Sequence, residues 1–386
     1  MNKKPAKRSG RGEALPSTEE ADEEGLEVET TSSSDNITQP FDPTLIRVEP
    51  RPFTVDLLLS RIRKDEIDLQ PAFQRHDGIW SNAAQSRLIE SLLIRIPLPA
   101  FYMDATDDEK WVVVDGLQRL STLRRFILEQ KFSLQGLEFQ KQLEGKTYDQ
   151  LPRSFQRRIL ETTLTLFLIQ SGTPPEVKFN IFKRINTGGL PLSTQEIRHA
   201  LNQGKVTEFL EAMAESREFR RATANGISPK RMGDRECVLR FLAFTLTSPR
   251  DYREGDFDAF LNDCMAEANG LSEAQFANLS KAFLHGLSTA HECFGKYAFR
   301  KRYSMDAEHR SPINKALFET WTVNLSRLDG RLSNRLIERK KDLQIKACRL
   351  MNDRGFEEAV SQGTGDTRKV RLRFSRIAYL IEEVLS

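Results

Sequence analysis

One short segment restricts the fold of this chain more than any other, residues 112–119, which read Val-Val-Val-Asp-Gly-Leu-Gln-Arg. Three consecutive valines favour a buried strand, and Gly116 permits a tight turn directly after it. Apolar residues then recur at helical spacing at Leu117, Leu120, Leu123 and Ile127. The segment therefore predicts a strand, a turn and a helix, which is the unit of an α/β domain.

The turn in this segment is suited to a phosphate-bearing ligand. A helix N-terminus offers unpaired N–H groups and a positive dipole end, and Arg119, one turn into the helix, is placed to add a bidentate fork. Asp115 would carry a metal ion, orient a water molecule or bind a ribose. The same residues also fit an ordinary Asp-Gly turn with Gln118 and Arg119 on a solvated face, and the residues alone leave both readings open.

The elements around this segment extend the α/β pattern to about residue 205. We expect strands at 98–103, 111–114 and 162–169, and helices entered at Thr54, at 81–94 and at 175–185. Ser193 and Glu196 have the spacing of a capping box. Beyond residue 205 only helical patterns recur, at 206–220, 235–247, 256–267, 273–294, 312–328, 331–351 and 374–385. The sequence thus predicts an α/β domain over 49–205 and an all-α domain over 206–386.

Residues 1–48 are expected to form a disordered tail. Residues 1–12 contain five basic side chains and no acid, and residues 13–29 contain eight acids and no base. Such a segment lacks the apolar area that would offset its ordering entropy. The basic patch is compatible with nucleic acid, but a solvated tail is the simpler interpretation.

Bulk composition excludes several classes of protein. The net charge of +3 is too small to indicate nucleic acid by itself, and the four cysteines are too far apart for a zinc or redox motif. We expect the cysteines to be reduced core residues. There is no apolar run of membrane-spanning length and no signal-peptide pattern, so the chain is predicted to be cytoplasmic.

Two further loops carry polar side chains. Residues 69–75, Leu-Gln-Pro-Ala-Phe-Gln-Arg, fix Gln74 and Arg75 beside a proline, and Asn186 and Thr187 precede a Gly-Gly turn at the end of a basic helix. The glycines let backbone N–H groups approach a ligand, although this is not a Walker loop, whose glycines precede a helix. A surface loop anchored by Phe73 and Trp80 also explains the first segment, and an ordinary helix C-terminus is the simpler explanation of the second.

Taken in chain order, these segments resemble the GmrSD-type restriction system N-terminal family, also called domain of unknown function 262. The resemblance covers roughly residues 50–205 and is carried by four motifs: PAFQR, SRLIESLLIRIPLP, VVVDGLQRLSTL and FKRINTGGLPLSTQEIRHAL. It implies a ParB/sulfiredoxin-like fold, in which a strand-turn-helix motif binds a nucleotide. Members of the family in anti-phage systems are associated with nucleotide binding or hydrolysis.

The resemblance also implies roles for single residues. Asp115 and Arg119 would be catalytic, and the other residues of a nucleoside triphosphate pocket would be Gln74, Arg75, Gly116, Gln118, Asn186 and Thr187. A divalent metal ion is compatible with such a ligand. The usual family motif reads Asp-Gly-Gln-Gln-Arg, and Leu117 replaces its first glutamine. One polar contact is therefore lost, so the sequence supports nucleotide binding and leaves hydrolysis open.

The C-terminal half offers a different kind of candidate. Its histidines lack the spacing of an HNH nuclease, so no nuclease is predicted. Arg327, Arg331 and Arg335 recur every four residues, which predicts a basic stripe on one helix that would contact DNA phosphates. The alternatives to a nucleotide-binding module of a DNA-processing or defence system are accordingly a non-catalytic nucleic-acid-binding protein and a scaffold that docks an effector protein. A solvated helix face also explains the stripe.

Overall fold

The computed structural model describes residues 25–29, 46–69, 80–185, 192–253 and 256–386. A mixed five-stranded sheet forms the N-terminal unit, in the order β1-β5-β3-β4-β2. Strand β5 runs parallel to β3 and β2 runs parallel to β4, whereas β1–β5 and β3–β4 are antiparallel. The strands are β1 Val48–Thr54, β2 Ile67–Asp68, β3 Phe101–Ala105, β4 Trp111–Asp115 and β5 Thr163–Gln170.

Helices cover both faces of this sheet. In the N-terminal unit they are α1 Val55–Arg63, α2 Asn82–Leu93, α3 Leu117–Leu123, α4 Arg153–Glu161, α5 Pro175–Ile185 and α6 Thr194–Leu201. One face packs against α1 to α4 in an apolar core that contains Phe101 and Val113, and the other packs against α5 and α6 through Val114 and Phe182. Successive side chains of β4 point to opposite faces of the sheet, so this one strand contributes residues to both apolar cores.

The capping signals of the sequence are confirmed. The Thr54 hydroxyl accepts from the Leu57 N–H at 3.2 Å, at the start of α1. At α6, the Ser193 hydroxyl accepts from the Glu196 N–H at 3.1 Å, and the Glu196 carboxylate accepts from the Ser193 N–H at 2.6 Å. These bonds fix where both helices begin.

The C-terminal half is helical, as predicted, with three differences. The expected helices at 206–220 and 331–351 are each divided in two, and α15 was not expected. The helices are α7 Lys205–Ala214, α8 Arg217–Ala222, α9 Gly233–Leu246, α10 Phe257–Ala268, α11 Glu273–Phe294, α12 Lys315–Ser326, α13 Gly330–Glu338, α14 Lys340–Met351, α15 Arg354–Ser361 and α16 Thr367–Leu385.

A network of buried charges lies inside this helical unit. Arg373 and Glu319 are fully buried and paired, with the Arg373 Nε 3.0 Å from the Glu319 carboxylate. Arg240 pairs with Glu236 at 2.7 Å, and the Lys315 ammonium lies 3.0 Å from Glu236. Because a buried charge without a partner is costly, these helices can pack only in an arrangement that keeps every pair together.

The prediction that residues 1–48 form a solvated tail is wrong for residues 25–29. Leu26 is fully buried and bridges Ile313 in a short parallel pairing. Glu27 lies 2.6 Å from the Lys301 ammonium, and Glu29 lies 2.6 Å from the Arg240 guanidinium. The acids that predicted disorder are here the counter-ions of the helical unit. The strand β1, which begins at Val48, was also not expected.

The four cysteines are free and buried, as predicted. Over the described ranges, no helix combines the length and the apolar character needed to cross a membrane.

Candidate ligand site at the turn between β4 and α3

The predicted strand-turn-helix is present, and it contains a β-bulge. Tyr102 pairs with Asp115 while Met103 pairs with Val113, so Val114 is an extra residue in β4. Bulges re-aim the side chains that follow them and are frequent beside functional sites. The bulge therefore sets the direction of Asp115, the last residue of the strand.

Gly116 makes the turn possible. Its φ of 102° lies in the left-handed region, where a side chain is strained. A Cβ at this position would also overlap the ring of Phe101, a fully buried residue of β3. Glycine is thus required both by the backbone conformation and by the approach of β3.

The sequence predicted that the Arg119 guanidinium would be free to bind a phosphate. In the structure this guanidinium is turned into the protein instead. The residue is only 8 % exposed. Its guanidinium donates to the carbonyls of Pro99 and Ala100 and to the Asp115 carboxylate at 2.9 Å, and it lies 4.4 Å from the centre of the Phe101 ring. Three protein acceptors therefore occupy guanidinium N–H groups that would otherwise bind a phosphate. These contacts make Arg119 a positioning residue for Asp115 and the turn.

The carboxylate of Asp115 pairs with Arg119 on one side and is partly exposed to solvent. Its side chain keeps 21 % of its exposure, and burial raises its pKa, although the charge of Arg119 and hydrogen bonds from Gly116 and Arg119 oppose the shift. A carboxyl group with a raised pKa at a strand end is the kind of group that functional sites use. Asp115 is thus the titratable group of the turn that can reach a ligand.

The first turn of α3 offers further polar groups. Gly116 is the N-cap, and glycine has no side chain to accept from the N–H groups of that turn. The first intrahelical bond runs from the Leu120 N–H to the Gly116 carbonyl at 2.9 Å. Gln118 is half-buried beside these groups. An anion bound here would complete a helix end that has no side-chain cap.

Four further pocket residues are predicted from the sequence, two after β2 and two after α5. Strand β2 is parallel to β4, so the chain leaves both strands at the same edge of the sheet. Gln74 and Arg75 follow β2, and Asn186 and Thr187 follow α5, but all four lie outside the described residues. The structure thus brings together Asp115, Gly116, Gln118 and Arg119.

The predicted DNA stripe is wrong in its geometry. Arg327 is the C-cap of α12, whereas Arg331 and Arg335 belong to α13, which begins at Gly330 after the N-cap Asp329. The equal spacing in sequence therefore crosses a break between two helices and gives no continuous face. Arg327 instead lines a pocket with Arg250 and two arginines of α16. A run of basic residues over 368–376 is visible in the sequence and marks α16, whereas no sequence pattern marks Arg250.

Within the ranges described, no three His, Cys, Asp or Glu side chains are grouped as metal ligands.

The fold and the turn define the N-terminal unit as a mixed α/β domain with a strand-turn-helix site. Residues 56–202 match the family described as GmrSD restriction endonuclease, N-terminal domain. The matched stretch contains α1 to α6 and the whole Asp115–Arg119 turn, and it spans less than half of the chain. No curated protein and no solved structure matches the chain.

Proposed function

We propose that the N-terminal unit binds a nucleoside triphosphate at the turn between β4 and α3 and serves as the nucleotide-responsive module of a restriction or defence system. The observation that carries this proposal is the bulged end of β4, which aims Asp115 at the rim beside an uncapped helix start. The phosphates would lie against the first turn of α3, and Asp115 would face the ribose or a phosphate-bound ion. This site would be a variant of a ParB-like pocket.

The structure changes the role proposed for Arg119. Because its guanidinium is occupied by Pro99, Ala100 and Asp115, its charge acts on the ligand through Asp115 and the turn. Gln118 would supply a direct side-chain contact. Gln74, Arg75, Asn186 and Thr187, which lie outside the described residues, remain proposed pocket residues.

A divalent ion would have to arrive with the phosphates. The carboxylate of the turn is already paired with Arg119, and Mg²⁺ in nucleotide sites is commonly held by one or two carboxylates together with phosphate oxygens. Leu117 stands where the family motif has a polar glutamine. We therefore propose nucleotide binding, and not hydrolysis, as the function of this site.

Calorimetric titration of the full chain with the four common nucleoside triphosphates, with and without Mg²⁺, tests the proposal. We expect saturable binding, weakened about tenfold or more by Gln118→Ala, since loss of a hydrogen bond to a charged group costs about 1.5–3 kcal/mol. Gln142→Ala removes an amide from an exposed segment of the same unit and serves as the matched control. Absence of binding to the wild-type chain, or equal affinity in Gln118→Ala and the wild type, would overturn the proposal.

A further inference from the structure

We propose that a second site, a four-arginine pocket on the helical unit, binds the phosphodiester backbone of a nucleic-acid strand. The arginine pocket is formed by the segment after α9, the end of α12 and the first half of α16, and its volume is about 740 Å³. Its polar lining consists of Ser248, Arg250, Asn324, Arg327, Arg368, Arg371 and Ser375. This site is independent of the turn between β4 and α3.

The charge of the arginine pocket is unbalanced. No Asp or Glu is among its lining residues. Within the described ranges, Arg250, Arg327 and Arg368 have no carboxylate at ion-pair distance, and Arg371 donates to the backbone carbonyl of Tyr252 at 3.1 Å. Burial and the charge of Arg250 lower the pKa of Arg327. Four cations that converge without an acid repel one another, and a bound anion relieves that repulsion.

The pocket also has an apolar floor. Pro249, Leu372, Phe374 and Ala378 line it together with the arginines. Phe374 is buried and packs against Phe244, with ring centres 4.8 Å apart, so the floor is part of the core of the helical unit. A rim of guanidinium groups over an apolar floor suits a ligand that has phosphates on one side and sugar or base surface on the other.

The layout favours a strand over a compact anion. All four arginines are exposed, and they come from three separate parts of the chain. On α16 alone, Arg368, Arg371 and Ser375 share one side of the helix and extend over about 10 Å. A nucleic-acid strand carries one phosphate per nucleotide, so a line of this length can meet more than one phosphate of the same strand. A single small anion would contact only part of it.

Fluorescence anisotropy with labelled single- and double-stranded 20-mers, measured on the full chain over a range of salt concentrations, tests the arginine pocket. We expect the double variant Arg327→Gln/Arg368→Gln to lower affinity about tenfold or more and to reduce the log–log salt slope by about 1.4 to 1.8, the loss of two phosphate contacts. Arg331→Gln/Arg335→Gln removes the same charge from the neighbouring helix α13 and is the matched control, expected to change affinity less than about threefold. Arg250→Gln tests the segment after α9 separately, and we expect it to reduce the log–log salt slope by about 0.7 to 0.9, the loss of one phosphate contact.

Three results would overturn this inference: wild-type chain that binds neither probe, equal losses in the pocket and control variants, or displacement of the strand by inorganic triphosphate at equal phosphate concentration. Gln118→Ala should leave the salt slope unchanged. Nucleotide titration can therefore fail while DNA binding persists, and the two proposals stand or fall separately.

Discussion

Gly116 joins β4 to α3 in a left-handed conformation, and a Cβ added at this position would overlap the ring of Phe101. We expect Gly116→Ala to reduce the free energy of unfolding by about 2–4 kcal/mol, because backbone strain and overlap with a core ring add together. Urea denaturation measures this loss. Gly145→Ala is the control, since Gly145 has a φ of 78° but no atom within 4 Å of the added Cβ. Equal losses in the two variants would show that the approach of Phe101 does not matter.

Glu90 illustrates a buried carboxylate held by the backbone. It accepts from the N–H groups of Glu138, Phe139 and Gln140 at 3.0, 2.7 and 2.7 Å. Burial raises the pKa of Glu90, but these three donors outweigh it and the pKa is lowered. Because the folded state favours the ionised form, the stability that Glu90 contributes is present at neutral pH and is lost as the pH falls through the lowered pKa.

We therefore expect Glu90→Gln to cost about 1–3 kcal/mol at pH 7 and progressively less as the pH falls below about 4. Chemical denaturation at a series of pH values measures the difference from the wild type. Glu161→Gln, at an exposed position on α4, should change stability by less than about 0.5 kcal/mol throughout. A difference at Glu90 that stays constant with pH would contradict the assignment.

Residues 25–29 act at the scale of an element, because they dock on the helical unit as a short strand. The Glu27 N–H donates to the Ile313 carbonyl at 2.8 Å, and Glu29 accepts from Arg240 and from the Thr364 hydroxyl. We expect Glu29→Gln to increase hydrogen exchange at the Glu27 amide about tenfold, since weaker charge-assisted bonds let this segment open more often. Mass spectrometry of the exchanged peptides measures this.

Val28→Ala is the control for that experiment, because Val28 is 55 % exposed. Unchanged exchange in Glu29→Gln would mean that Leu26 and the backbone pairing hold the segment without the ion pair.

Elements with local signals were predictable, and elements defined by distant partners were not. The helix ends at Thr54 and Ser193 depend on residues three positions apart, so the sequence contains the whole interaction. Strand β1 contains Pro50 and Pro52, which argue against a strand, and is tolerated because it lies at the edge of the sheet. Its pairing with β5, more than a hundred residues away, is not encoded locally.

The candidate site shows the same limit. The left-handed turn at Gly116 follows from its own sequence, whereas the carbonyl partners of Arg119 belong to Pro99 and Ala100, about twenty residues earlier. The prediction of a DNA-binding stripe failed for the same reason. The equal spacing of the arginines does not show that a new helix begins after Asp329, between Arg327 and Arg331. The bulge at Val114 had no sequence signal.

At the scale of the whole molecule, Asp258 of α10 links the two units. Its carboxylate lies 2.9 Å from the Lys183 ammonium of α5 and pairs with Arg198 of α6, whose side chain is only 2 % exposed. We expect Asp258→Asn to cost about 1–3 kcal/mol and to make the two units unfold less cooperatively, because a buried guanidinium loses its counter-ion. Scanning calorimetry would then show a broader or divided transition.

Lys183→Gln removes the exposed partner alone and should cost less than about 1 kcal/mol. A single sharp transition in Asp258→Asn, at the wild-type temperature, would mean that the two units are held together without this ion pair.

Hydrogen exchange of the full chain, with and without a saturating nucleoside triphosphate, tests the central claim most directly. We expect new protection of the amides of residues 117–119, where the uncapped first turn of α3 would donate to phosphate, and weaker protection in Gln118→Ala at the same nucleotide concentration. Protection confined to the arginine pocket, or none at residues 117–119 while the nucleotide is bound, would contradict the proposal.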